Sequence, residues 1–205
     1  MTVKLVWATP KGEELIAYMA RVSNPSNQDN PETAPKLLQY LMKNKHWSPF
    51  EMVNVCMEIK CTRDIGRQIL RHRSFSFQEF SQRYAEALDW ELGEARLQDK
   101  KNRQNSLPTQ DRELERWWQE EQQKVVAQAR HAYGAALNNG IAKEVARKVL
   151  PEGLTMSAMY MNGTLRSWMH YVDIRCDEAT QKEHRDIAVQ CRNVLAKEFP
   201  SLFKE

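Results

Sequence analysis

Between Arg71 and Tyr84 the chain concentrates groups that can bind and polarise a ligand. Arg71, Arg73 and Arg83 bring guanidinium forks, His72 an imidazole and Glu79 a carboxylate. Gln78 and Gln82 bring amides, Ser74, Ser76 and Ser81 hydroxyls, and Tyr84 a phenol. Phe75, Phe77 and Phe80 are interleaved with them. Planar cations beside aromatic faces suit a nucleotide, which offers anionic phosphate and a flat base. The charge distribution points to the same window. From Arg63 to Arg83 there are five arginines, no lysine and two acids, a surplus equal to the net +3 of all 205 residues. Arginine chosen over lysine favours bidentate recognition of phosphate and carbonyl edges. The surplus therefore reads as a pocket for phosphate-bearing ligands, not as a surface coat for nucleic acid. Ser81 is a hydroxyl among cations, but no base stands at triad-like spacing, so its role is binding or orientation.

These residues need a scaffold. With 41% hydrophobic and 28% charged residues, the composition is that of an ordinary globular chain. No apolar run approaches the roughly 20 residues that span a bilayer, and no signal-peptide pattern opens the chain. The expectation is a cytoplasmic protein with no membrane or nucleic-acid partner. Lys4 to Ala8 reads as a strand, Glu13 to Val22 and Thr33 to Lys45 as helices. From Val53 to Ile59 apolar residues alternate with polar ones, so Glu51 to Cys61 reads as a strand buried on one face. Asp64 is placed to cap a short helix reaching about Arg71. Phe75 to Phe80 is a short strand or an extended loop, and Ala85 to Pro108 a long polar loop. Asp111 to Leu137 is a long charged helix, on which Trp117 and Trp118 serve packing or a subunit contact. Lys143 to Leu150 is a short helix stopped by Pro151, and Leu154 to Met161 a strand. Leu165 to Arg175 and Thr180 to Glu198 are two further helices. Helices fall on both sides of an incomplete set of strands, so the expectation is one α+β domain over residues 1–205, with a small, mostly antiparallel sheet.

Cys56, Cys61, Cys176 and Cys191 include no CxxC pair and read as reduced, mostly buried fillers. No His, Asp, Glu and Cys set has metal-ligand spacing, and the seven glycines form neither GxGxxG nor a P-loop. No metal is expected, and a dinucleotide must bind without a glycine-rich turn.

Arg71-His72-Arg73, seven residues, then Ser81 resembles the signature of the flavin-dependent thymidylate synthases. The likeness continues through Gln78-Glu79, Arg83 and Tyr84, and Gln68 stands three residues before the signature. It extends to Ala20-Arg21-Val22-Ser23, His46 through Glu51, Ala146-Arg147 with Leu150-Pro151, and Arg166 through Arg175 with Gln181. The resemblance implies reductive methylation of dUMP to dTMP, with methylenetetrahydrofolate as one-carbon donor, FAD as hydride carrier and NADPH as reductant. It also implies a homotetramer with shared active sites. No cysteine attacks the uracil in this family, and here none lies in the signature.

Residue roles follow from the same resemblance. Gln68, Arg71, Glu79, Ser81, Gln82, Arg83, Tyr84, Arg147 and Arg175 stand as dUMP ligands, with Arg175 the main activator of the uracil. Ser23, His46, Ser48, Glu51, Arg71, His72, Arg73, Gln78, Glu79, Arg166 and His170 stand as FAD contacts. Read from the residues alone, His46 is open to a packing role beside Trp47, and Arg166 with His170 to a surface i, i+4 pair. Gln78 stands where the family more often has Asn, and Thr164 and His170 where many members have Asn. Ala179 stands where some have a histidine, and His184, five residues on, is not placed to substitute for it directly. Two other readings of the same residues are a non-catalytic nucleotide or single-strand binder and a flavin-binding relative without synthase activity.

Overall fold

The alternation after Val53 forms a nine-residue strand, and its register locks the rest of the sheet. In the computed structural model, which describes residues 1–87 and 89–203, the elements run β1 (Thr2–Ala8), α1 (Gly12–Ala20), α2 (Ala34–Lys43), β2 (Asn54–Thr62), α3 (Arg63–Ile69), β3 (Ser76–Glu79), β4 (Arg96–Gln98), β5 (Ser106–Pro108), α4 (Arg112–Asn138), α5 (Lys143–Ala146), β6 (Met156–Thr164), α6 (Leu165–Arg175) and α7 (Lys182–Glu198). Leu88, within the expected loop 85–108, and the last two positions of the expected domain lie outside the described residues. The main sheet has the order β1-β2-β6-β3, and every neighbouring pair is antiparallel. The fold is therefore α+β, as expected.

Burial follows the period of two. Val55, Met57, Ile59 and Cys61 on β2 are buried, and the register sets Val55 opposite Gly163, Met57 opposite Met161 and Ile59 opposite Met159 on β6. This face joins Ile16 of α1, Leu38 of α2, Ile65 of α3, Trp168 of α6 and Ile187 of α7 in one core. The opposite face carries Lys4, Glu58, Tyr160 and Gln78 in one cross-strand row. The core thus lies on one face of the sheet, where the sequence reading placed helices on both sides. The long α4 stands apart from this core. Its Trp117 and Trp118 are 54% and 40% exposed, so within one chain they are not packing residues.

Three local readings need correction. The start of the strand expected from Glu51 is the end of a 3-10 turn, Ser48–Met52, which Pro49, with its φ fixed near the helical value, helps to start. Asp64 does not cap α3; Thr62 occupies the cap position, and Asp64 Oδ1 is buried without a partner. Within the loop expected over 85–108, β4 and β5 form a hairpin with Leu97 opposite Leu107. Asp99 builds its turn by accepting from Lys101 N, Asn102 N and Asn105 Nδ2 at 2.8, 3.2 and 3.0 Å. An Asx-type turn of this kind is short-range and was legible in principle. The long charged helix expected from Asp111 is present, and Asp111 Oδ1 caps it by accepting from Glu113 N and Leu114 N at 3.0 Å.

Gly163 is the close-packing point. A Cβ there would lie 2.5 Å from Phe75 Cδ1 and 2.7 Å from Cε1. Phe75 has little room to yield, since its ring stands edge-on to Trp168 at 4.8 Å and to Tyr171 at 6.0 Å. Gly163→Ala should therefore cost about 1–3 kcal/mol of stability by overpacking. Urea denaturation checks this, and an unchanged midpoint would mean that Phe75 is not held as described.

Candidate functional site

Helix α3 ends at Ile69, and the chain turns through His72, whose N–H bonds Ile69 O at 3.0 Å. Phe75 then anchors the segment into the core, and Ser167 Oγ of α6 donates to Ser74 O at 3.3 Å. Helix α6 is itself set by Thr164, whose Oγ1 accepts from Ser167 N at 3.2 Å. Signature segment and α6 are thus fixed against each other, and their polar groups meet at the far end of the helix. There Arg175 Nε donates to His72 Nε2 at 2.9 Å. As an acceptor at Nε2, His72 must be neutral with its proton on Nδ1. Burial, then the charge of Arg175, then His170 drive its pKa down to about 4, which agrees with that state.

A second histidine lies behind the first. His184, fully buried on α7, has Nε2 3.1 Å from the Tyr171 hydroxyl and Nδ1 3.3 Å from Gln68 Oε1. Its pKa is also lowered to about 4, by burial, then Arg175, then His72. Gln68 Nε2 donates onward to Gln181 Oε1 at 2.7 Å, and Gln181 Nε2 to Glu183 Oε2 at 3.1 Å. His184, not expected to stand in for Ala179, is marked as buried in the sequence only by its position on the apolar face of α7, with Ile187, Ala188, Cys191 and Leu195.

Beside this cluster lies a cleft of about 950 Å³, lined by Glu51, Ser74, Arg166, Ser167 and His170 among polar groups and by Trp47, Met42 and Met169 among apolar ones. Its volume is at the upper end of the range for cofactor sites. Arg166 Nη1 bonds Glu51 Oε1 across 115 residues of sequence, so Arg166 is paired with Glu51 and not with His170. The lining also includes Arg192, Asp173 and Asp177; its two guanidinium groups, imidazole and hydroxyls suit polar parts of FAD, and its indole and thioethers suit the flat rings. Arg71, Arg73, Gln78, Arg83 and Arg147 do not line this cleft.

The other expected residues form separate groups. Glu79 accepts from Arg63 Nη1 at 3.3 Å and from Ser157 Oγ at 3.0 Å, and Arg63, only 6% exposed, also reaches Glu152 at 3.4 Å. Arg67 pairs with the same Glu152 at 3.5 Å. Three of the five arginines in the charge-rich window, Arg63, Arg67 and Arg83, are thus matched by acids of the same chain, which corrects the reading of the whole surplus as a ligand pocket. Arg83 Nε bonds Glu144 at 3.2 Å, beside an exposed Tyr84, and Ser81 Oγ accepts from Arg83 N at 3.3 Å. Gln82 is 4% exposed, with Nε2 unpartnered. Arg147 is half-buried in the 3-10 turn Arg147–Val149, and Arg71, Arg73 and Gln78 are exposed. Ser23 and Ser48 are exposed, and His46 stands edge-on to Tyr40 at 6.1 Å, not against Trp47. Arg21 is buried instead, donating to the Asn30 carbonyl and, at 2.7 Å, to Thr33 Oγ1, so it braces the loop that carries Ser23.

The two histidines give stability a defined pH dependence. In the folded chain they resist protonation until about pH 4, whereas unfolded histidine accepts a proton near 6.5. The unfolded state therefore binds more protons across that window, and stability should fall as pH drops from about 6.5 towards 4. Thermal midpoints recorded across this range check the decline, which His184→Asn should make shallower. A flat profile in the parent protein would contradict neutral burial.

Comparison with known proteins places this geometry in a family. Residues 4–201 match the family described as thymidylate synthase complementing protein. The flavin-dependent thymidylate synthase of Synechocystis sp. is 53% identical over 190 residues, covering 93% of this chain and 87% of that protein. The probable flavin-dependent thymidylate synthase of Paramecium bursaria Chlorella virus 1 is 50% identical over 205 residues, covering 100% and 94%. Among solved structures, the UMP/dUMP methylase PolB of Streptomyces cacaoi bound with 5-Br dUMP superposes with a TM-score of 0.84 at 26% identity, covering 99% of this chain and 93% of that one. With the signature segment, α6 and the paired histidines all inside the matched region, this chain belongs to the flavin-dependent thymidylate synthase family.

Proposed function

We propose that the protein catalyses reductive methylation of dUMP to dTMP, taking the one-carbon unit from methylenetetrahydrofolate and reducing equivalents from NADPH by way of FAD. The observation that carries this reading is the Arg175–His72 contact, which holds one guanidinium at the junction of signature and α6. Arg175 uses Nε for His72, and among the described contacts Nη1 and Nη2 are left for a ligand. A cation held by a neutral partner keeps its full charge for polarising the uracil carbonyls and ring nitrogen. Bound FAD, once reduced, supplies the hydride. Glu51, Arg166 and His170 are the residues whose cleft suits it, with Ser23, His46, Ser48, Arg71, His72, Arg73, Gln78 and Glu79 as further contacts.

Gln68, Arg71, Glu79, Ser81, Gln82, Arg83, Tyr84, Arg147 and Arg175 are assigned to dUMP. The unpartnered Gln82 amide supports this, since a buried donor left unsatisfied costs about 1–3 kcal/mol and a ligand would relieve it. Tyr84 is 78% exposed, and among the described residues no hydrogen bond joins Arg83, Tyr84 or Arg147 to Gln68 or Arg175. That separation supports a homotetramer in which neighbouring copies complete each site, and the exposed tryptophans of α4 fit such a contact. Cysteine chemistry is disfavoured on physical grounds. Cys56, Cys61 and Cys191 are buried, and burial also raises the pKa of Cys176, the one cysteine on the cleft, so none is poised as a thiolate.

The test is a dTMP-formation assay with dUMP, methylenetetrahydrofolate, NADPH and FAD. The protein should turn over, and Arg175→Ala should lose about 100-fold or more in kcat while retaining FAD. A variant with all four cysteines replaced should keep activity wherever it folds. Failure to bind FAD, or Arg175→Ala with undiminished turnover, would refute the assignment.

A further inference from the structure

The hydrogen bonds around His184 run in one direction. Gln68 Nε2 faces Gln181 Oε1 at 2.7 Å, and Gln181 Nε2 faces the Glu183 carboxylate at 3.1 Å. A carboxylate only accepts, so Gln181 must turn its amide N–H towards Glu183 and its carbonyl towards Gln68. Gln68 must then donate to Gln181, which leaves its Oε1 pointing at His184 Nδ1. That oxygen cannot donate, so His184 carries its proton on Nδ1 and accepts at Nε2 from the Tyr171 hydroxyl, 3.1 Å away. Glu183 is fixed as the acceptor at the outer end. Burial opposes its charge, but its own backbone N–H and its bonds with Arg96 and Gln181 outweigh that and lower its pKa. One orientation of Gln68 therefore satisfies every group in the chain; flipping its amide would set its carbonyl against that of Gln181 and would force His184 to move its proton from Nδ1 to Nε2.

We propose that His184 is a positioning residue that, held by Tyr171, fixes the orientation of the Gln68 amide presented to the nucleotide. His184 itself is fully buried and reaches ligand only through Gln68. Gln68 is half-buried, with one N–H and one carbonyl lone pair left for a ligand after the bonds to Gln181 and His184. The inference rests on the proposed role of Gln68 as a dUMP ligand. It adds a residue for which the signature gave no role, and a reason why Tyr171, at the centre of the aromatic cluster, carries a hydroxyl.

The experiment is calorimetric titration of dUMP into the FAD-loaded protein, with FAD content recorded for each variant. His184→Phe should weaken dUMP about three- to tenfold, the worth of one hydrogen bond, with FAD content unchanged. Gln68→Ala should weaken it at least as much, and the double variant should be no weaker than Gln68→Ala alone. His184→Asn, whose amide nitrogen retains a donor near the place of Nδ1, should bind within about twofold to threefold of the parent. If His184→Phe fails to fold, Tyr171→Phe replaces it. Loss of the hydroxyl frees the imidazole to change tautomer, so dUMP should weaken in the parent background and not in Gln68→Ala. Parent-like affinity in folded His184→Phe or Tyr171→Phe, or losses that add fully to Gln68→Ala, would overturn the inference. If the FAD-loaded parent itself does not bind dUMP, the functional assignment fails and the inference with it, a result distinct from either.

Discussion

The packing of Phe75 against Gly163 constrains everything on either side of it. The ring occupies the space that any side chain on residue 163 would fill, and Trp168 and Tyr171 close over it. Because Gly163 sits opposite Val55 on the central strand, the signature segment is docked onto the most buried part of the sheet. His72, three residues before Phe75, is thereby brought edge-on to Tyr171 at 4.9 Å and within a hydrogen bond of Arg175. Contacts spanning about a hundred residues of sequence thus depend on a glycine and a phenylalanine that touch no ligand in the proposed scheme.

From that dock the electrostatics follow. Two imidazoles beside a guanidinium, His184 buried and His72 half-buried, cannot readily accept protons, since each added charge would be both desolvated and repelled. Both remain neutral and serve as directional partners, His72 for Arg175 and His184 for Gln68. The outer arginines behave differently. Arg63 and Arg67 are matched to Glu79 and Glu152, so they brace the strand and helix that carry the site.

The sequence made the main elements legible because their signals are local. Alternation marked β2, a long charged stretch marked α4, and the segment from Leu165 to Arg175 read as the helix α6. The signature located the segment around His72. Less visible was anything set by partners distant in the chain. Nothing near Arg63 announces Glu79 and Glu152 as its mates, and Arg166 looked like a partner for His170 until Glu51 was found beside it. His184 was passed over for the same reason, since its neighbours Gln68 and Tyr171 come from two other helices. The side of the sheet on which the helices pack was equally hidden, as alternation identifies a buried face without saying what covers it.

The central claim is that the signature histidine is a neutral acceptor held by Arg175. Nitrogen-15 NMR of histidine-labelled protein at pH 7 reads that state directly. The account predicts that His72 shows a protonated Nδ1 and an unprotonated, hydrogen-bonded Nε2, and that the Nε2 signal shifts in Arg175→Ala. An imidazolium at His72, or an Nε2 that carries the proton, would contradict it.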